Sequence, residues 1–277
     1  MRPIDAQVAA KVAGPSQAFA AHWPEYLMEG ALLACFLLAA CVSGVLLEHP
    51  ASPINQAFEN AAIRRALGGI AMGSTAIAII CSPWGQRSGA HLNPAITLTY
   101  LRLKKVAPWD ALFYVAFQFA GSITGVFLAS YVIGYPLRHA AVNYSVTVPG
   151  TSGEFVALAA EFAISAVLML TVLSASNSRR WAPYTPVLAG VLVAAFITIE
   201  SPLSGMSMNP ARTFGSAYFA NEWMSLWIYF IGPLAGMWAG SQIYRLRAGS
   251  RVLCAKLHHE NNQPCIFRCN YGSIHEH

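Results

Sequence analysis

The sequence predicts an all-α membrane protein built from two similar halves inserted in opposite directions. Three observations carry this. Only 10% of the 277 residues are charged and 56% are hydrophobic, against about 25% charged in a soluble domain, so the chain needs lipid as its solvent. Six segments are apolar over enough length to cross a bilayer or nearly so. The triplet Asn-Pro-Ala occurs twice, at Asn93–Ala95 and Asn209–Ala211, each time opening an apolar stretch too short to cross.

Residues 1–24 read as a cytosolic tail, because no continuous apolar run followed by a cleavage site marks a secretory signal. The spans are expected near Tyr26–Leu47, Leu67–Cys81, Trp109–Ile133, Phe155–Ser174, Pro183–Ile199 and Trp223–Tyr244. The second and fifth need flanking residues to reach full length. The membrane domain therefore covers residues 25–246, with halves at about 25–134 and 153–246. Residues 247–277 form a second cytosolic tail. With both termini cytosolic, only Arg64, Arg65, Arg138 and Arg212 of the 17 basic residues fall outside, which is the bias expected of an inner face. The basic residues sit in short loop clusters rather than on one surface. The formal charge of +5 therefore does not point to nucleic acid.

Each half holds three spans and one stub. Asn93–Leu101 follows the second span and Asn209–Phe219 the fifth, while Glu29 and Glu161 correspond in the first span of each half. Three is odd, so the second half enters the membrane upside down relative to the first. Inverted repeats with broken helices place a site at the bilayer midplane. A helix that starts there leaves N–H groups without partners and a partial positive charge. Asn93 and Asn209, each followed by Pro at the first helical position (Pro94 and Pro210), are expected to cap these starts and still offer amide donors to a lumen. Such donors favour water or hydroxyl oxygens over cations and hydrated protons.

The stretches "SGAHLNPAITL" and "SGMSMNPARTFGSA" resemble the two signature loops of the major intrinsic protein family, the aquaporins and glycerol facilitators. The resemblance runs from about Tyr26 to Tyr244. It implies an aquaporin-like bundle of six tilted transmembrane helices and two re-entrant half-helices, with one pore per subunit and four subunits assembled. Residue by residue, Arg212 matches the arginine of the family's outer constriction, Met206 its loop position and Ile197 its fifth-span position. The second-span wall is Met72 if one residue is inserted in "SPWGQRSG" and Gly73 otherwise. Met72 is favoured, since Gly73 then keeps its helix-packing place. Thr213 and Ala217 after the second motif, and Tyr229-Phe230 before Gly232-Pro233, place the chain nearer a bacterial-type aquaporin than a glycerol facilitator. The apolar filter does not. It has Ile197 where water-selective members carry His.

Glu29 and Glu161 are ionisable groups inside the bilayer. The resemblance implies that each accepts hydrogen bonds from a re-entrant loop, with His91 fixing the inner loop and Gln118 helping from the third span. Two isolated carboxylates make poor proton wiring. Beyond the spans, "CAKLHHENNQPCIFRCNYGSIHEH" places Cys254 and His258 four apart, and Cys265 and Cys269 likewise. Cys/His sets of this kind hold zinc tetrahedrally. The ligands are then Cys254, Cys265, Cys269 and one of His258 or His259, with His258 favoured by spacing. Reduced thiols or a regulatory contact are the alternative, because a cytosolic tail disfavours disulfides. No other cofactor is expected.

The function that follows is a passive channel in the plasma (inner) membrane for water, with glycerol, urea, ammonia and hydrogen peroxide as accompanying solutes. A small-solute facilitator with poor water selectivity is the runner-up. A secondary transporter would need ionisable coupling groups along the path. A junctional protein would have no need of Asn93, Asn209 and Arg212. No nucleophile–base pair points to an enzyme.

Overall fold

In the computed structural model, residues 14–247, 251–259 and 261–271 are described, and they contain helices and loops but no strand. Six long helices and two half-helices make up the bundle. They are α1 (Pro15–Glu48), α2 (Ala61–Cys81), the half-helix α3 (Pro94–Arg102), α4 (Pro108–Ile133), α5 (Glu154–Ser176), α6 (Thr185–Ile199), the half-helix α7 (Pro210–Ala220) and α8 (Ile228–Leu246). Among the described residues, five helices are long and apolar enough to cross a membrane. The 19-residue α8 is more polar, since it contains Pro233 and ends in Gln242 and Arg245. The chain is an integral membrane protein.

Three boundaries differ from the sequence reading. Helix α1 starts at Pro15, so residues 15–24 continue the first span's helix. Polar residues there hide the helix from a count of apolar length, yet Pro15 at the first helical position favours it. Helix α2 starts at Ala61, capped by the Asn60 side chain on Ala62 N–H, so Arg64 and Arg65 lie in its first turns. Helix α8 starts at Ile228, and Trp223 belongs to the turn before it.

The two halves interlock. Helix α1 packs along α4, α5 along α8, and α2 along α6, while each half-helix packs on the last helix of the other half. Close approach requires small residues at the crossings. A Cβ on Gly121 would lie 2.1 Å from the Gly30 carbonyl, and one on Gly236 would lie 2.2 Å from that of Phe162. Phe127, Tyr131, Phe155, Val191 and Ile199 stay exposed on the outside of the bundle, as a lipid-facing surface allows. Exposed Trp23, Trp84, Trp109 and Trp181 sit at helix ends on one face, and Trp223 and Trp227 on the other. This distribution fits two interfacial belts.

Candidate functional site

Helices α3 and α7 start back to back in the middle of the bundle. Asn93 caps α3 by accepting from Ala95 N–H at 2.8 Å, and Asn209 caps α7 by accepting from Ala211 and Arg212 N–H at 3.1 and 3.2 Å. Each amide also reaches across the junction. Asn93 Nδ2 donates to Met208 O at 2.6 Å, and Asn209 Nδ2 donates to Leu92 O at 2.7 Å. An amide NH₂ carries two hydrogens, so each Asn keeps one donor beyond this exchange. Both side chains line a cavity of about 400 Å³. Pro94, Ala95, Pro210 and Ala211 are buried in the first turns of the two half-helices.

The loops leading into these starts are held by the two buried carboxylates. Glu29 accepts from Ser88 Oγ (2.8 Å), His91 N–H (3.0 Å), Leu92 N–H (2.6 Å) and Gln118 Nε2 (3.1 Å). Glu161 accepts from Ser204 Oγ (2.8 Å), Ser207 N–H (2.7 Å) and Met208 N–H (2.7 Å). Both loops turn through left-handed residues. Gly89, Ala90 and Leu92 match Gly205, Met206 and Met208, with φ between 52° and 97°. For the non-glycine residues this conformation costs energy and persists only where surroundings enforce it. The carboxylates, whose hydrogen bonds are charge-assisted, do so. Tyr114 and Tyr229 complete the likeness by donating to the carbonyls of Ser88 and Ser204 at 2.6 and 2.5 Å.

Met72, Ile197, Met206 and Arg212 line the same cavity, toward the end marked by Glu48 and Arg64. Gly73 does not line it. It lies against α6, where a Cβ would be 2.5 Å from Gly190 O. The Arg212 guanidinium donates to Thr147 Oγ1. His91 sits at the other end. Its Nε2 faces the Ala255 carbonyl at 2.9 Å and so must carry the proton, which leaves Nδ1 to accept from Thr97 Oγ1 at 3.1 Å. The ring is stacked between Tyr100 and Phe267.

The C-terminal segment is folded onto this end. Leu257 N–H donates to Gly89 O (3.2 Å), Leu253 N–H to Asn177 Oδ1 (2.6 Å) and Lys105 Nζ to Leu253 O (3.2 Å). Leu257 is part of the cavity wall. A Cys/His group is present in the segment, and it corrects one expectation. Cys254, Cys265 and Cys269 gather with His259, not His258. The four-residue spacing of Cys254 and His258 would align them on a helix, but residues 251–259 are not helical. A turn in which Asn261 bonds both histidine carbonyls, and Tyr271 stacked on the His259 ring at 4.2 Å, set His259 against Cys269. Burial pushes the Lys256 ammonium below its ordinary value, opposed by Cys265, Cys254 and Cys269.

Sequence reasoning missed Thr147, the Ser88 and Ser204 hydroxyls, the paired tyrosines, and the tail's contact through Ala255, Leu257 and Phe267. The serines had a signal, since both motifs open with Ser-Gly. Thr147 had none, because it reaches Arg212 from a distant loop.

The family model for "Major intrinsic protein" matches residues 20–244. The chain is 35% identical over 191 residues to "Aquaporin NIP2-3" of Zea mays, covering 67% of this chain and 60% of that protein. It is 34% identical over 182 residues to "Aquaporin NIP6-1" of Arabidopsis thaliana, covering 65% and 57%. The match thus spans about 60% of the length of these curated relatives. The X-ray structure of the aquaglyceroporin from Plasmodium falciparum has the same fold, with a TM-score of 0.66 at 16% identity, over 81% of this chain and 96% of that one. By its repeated half-helices and by the family model, this chain belongs to the major intrinsic protein family.

Proposed function

We propose that the chain is a passive membrane channel for water that also admits small uncharged solutes and excludes ions and protons. The carrying observation is the pair of Asn-capped helix starts, each Asn retaining an amide donor beside the cavity. An oxygen at the junction is offered donors from both halves and few acceptors. A cation or hydrated proton there faces two positive helix ends and, further along, Arg212. Glu29 and Glu161 act as scaffold rather than relay, because each is surrounded by donors that hold a loop. The passage itself uses no cofactor and no bond-making chemistry.

The selectivity filter is assigned to Met72, Ile197, Met206 and Arg212. Three apolar walls and one guanidinium favour a second reading, a facilitator for glycerol or other small neutral solutes, because carbon-bearing solutes gain contacts there that water does not. Stopped-flow light scattering on proteoliposomes separates the two. Water permeability several-fold above empty vesicles, with glycerol and urea much slower, supports the water channel. Glycerol flux comparable to water supports the facilitator. Water flux at the empty-vesicle level, both with and without a metal chelator, overturns the first reading. The distribution of basic residues supports cytosolic termini, which protease accessibility of the tail in sealed cells tests; the plasma membrane is the proposed location. A homotetramer is proposed from family membership, and native mass spectrometry in detergent checks it.

A further inference from the structure

We propose that Cys254, His259, Cys265 and Cys269 form a zinc site that clamps the C-terminal segment across the tail-side mouth of the pore, closing it while the metal is bound. The closure rests on the channel reading above, whereas the metal site stands on its own geometry.

The four ligand atoms lie within 4.8 Å of one another. Cys254 Sγ is 3.5 Å from Cys265 Sγ, and Cys269 Sγ is 3.0 Å from His259 Nε2. Four ligands on a tetrahedral zinc stand roughly 3.5–3.8 Å apart, so small shifts complete the shell. Three sulfurs and one imidazole make a soft donor set that suits zinc and disfavours magnesium or calcium. Cys254 is buried, and so is Lys256, which is 1% exposed and donates to the carbonyls of Gln263 and Pro264. Binding Zn²⁺ to three thiols and a neutral imidazole releases three protons and leaves a net charge of −1. Lys256, with Lys105 nearby, then supplies the compensating charge that a buried anion requires.

The connection to the pore is direct. Cys254, Ala255, Lys256 and Leu257 are consecutive. The first is a ligand, the second accepts from His91 in the Asn93 loop, and the fourth walls the cavity. Phe267, between ligands Cys265 and Cys269, stacks on His91 at 5.2 Å. Among its described residues, the segment from 251 to 271 has no helix longer than a turn. Its backbone bonds to the bundle are scattered, Leu257 N–H to Gly89 O and Arg268 N–H to Lys105 O among them, so a metal cross-link adds to what holds it. Zinc-finger peptides show the scale at which metal binding becomes folding free energy.

The test uses the full chain, purified under reducing conditions and reconstituted. Zinc is counted by plasma mass spectrometry and water flux by stopped flow. The expected result is about one zinc per chain. Removing it with a chelator should raise water permeability several-fold, and added zinc should lower it again. A Cys265→Ser/Cys269→Ser variant should lack zinc and conduct fast whether or not chelator is present. Leu257→Ala should keep its zinc and still conduct faster than the parent, which separates the plug from the metal. Substoichiometric zinc after loading, or a Cys254–Cys265 disulfide found by mass spectrometry, overturns the site. Equal flux with and without bound zinc overturns the closure. Full zinc with no flux above empty vesicles in any form overturns the channel reading, and the closure with it.

Discussion

At the midplane the two halves are near copies, and toward the two faces they part. Both loops present Ser, a left-handed turn and two N–H groups to one carboxylate. Beyond that common frame, the first loop gains Gln118 from α4, whereas the matching place in α8 is near Pro233, which has no side-chain donor. His91 in the first loop stands where Ser207 stands in the second, and each is bonded to a threonine of its own half-helix, Thr97 or Thr213. Directly after Asn-Pro-Ala, the first half-helix has Ile96 and the second the guanidinium of Arg212. The difference teaches that the repeat is under one constraint at the centre, satisfying two helix starts in lipid, and under separate constraints at each mouth.

Substituting the two carboxylates breaks this comparison most forcefully. Glu161→Gln keeps one oxygen to accept from Ser204 and Ser207 but turns an amide NH₂ on the Met208 N–H, and should cost about 3–5 kcal/mol. Glu29→Gln should cost about 1–2 kcal/mol less, because Gln118 Oε1 is buried without a partner and can turn to accept the new amide. Thermal unfolding in detergent measures both. Equal losses would show that Gln118 has no such role, and adding Gln118→Leu should erase the difference.

A smaller effect is expected at the mouth that only one half has. Arg212→Ala should raise glycerol and urea permeability about tenfold while water flux persists, since the single polar wall and its repulsive charge are lost. Thr147→Ala frees the guanidinium from its partner and should give a fraction of that rise in the same assay. Smallest is the response to mercurials. The outer filter has Met206 and no Cys, so block from that side should be weak, and Met206→Cys should make it strong and reversible by thiol. Potent block of the parent from the filter side would place a reactive Cys there.

The centre of this structure was legible because it is written locally. A cap residue, a proline and a short apolar run sit side by side, twice, and the two carboxylates fall at matching places in their spans. The start of α1 was hidden because a count of apolar length overlooks a helix that continues beyond its apolar stretch. The choice of His259 over His258 was hidden because spacing predicts ligands only once the backbone conformation is known. Thr147, Ala255 and Leu257 act through contacts between segments far apart in sequence, and nothing in their own neighbourhoods announces it.

The exchange between Asn93 and Met208 also carries a consequence for how the chain is made. Its partners are 115 residues apart, and at ordinary synthesis rates the second arrives on the order of ten seconds after the first. Until then the first half waits in the membrane with an unfinished helix, a strained loop and an amide that has not met its acceptor. The first half by itself is therefore an intermediate whose Leu92 carbonyl and Asn93 amide lack the partners that the second half brings. The quality of the finished channel depends on whatever shelters that loop from lipid while the rest of the chain is inserted.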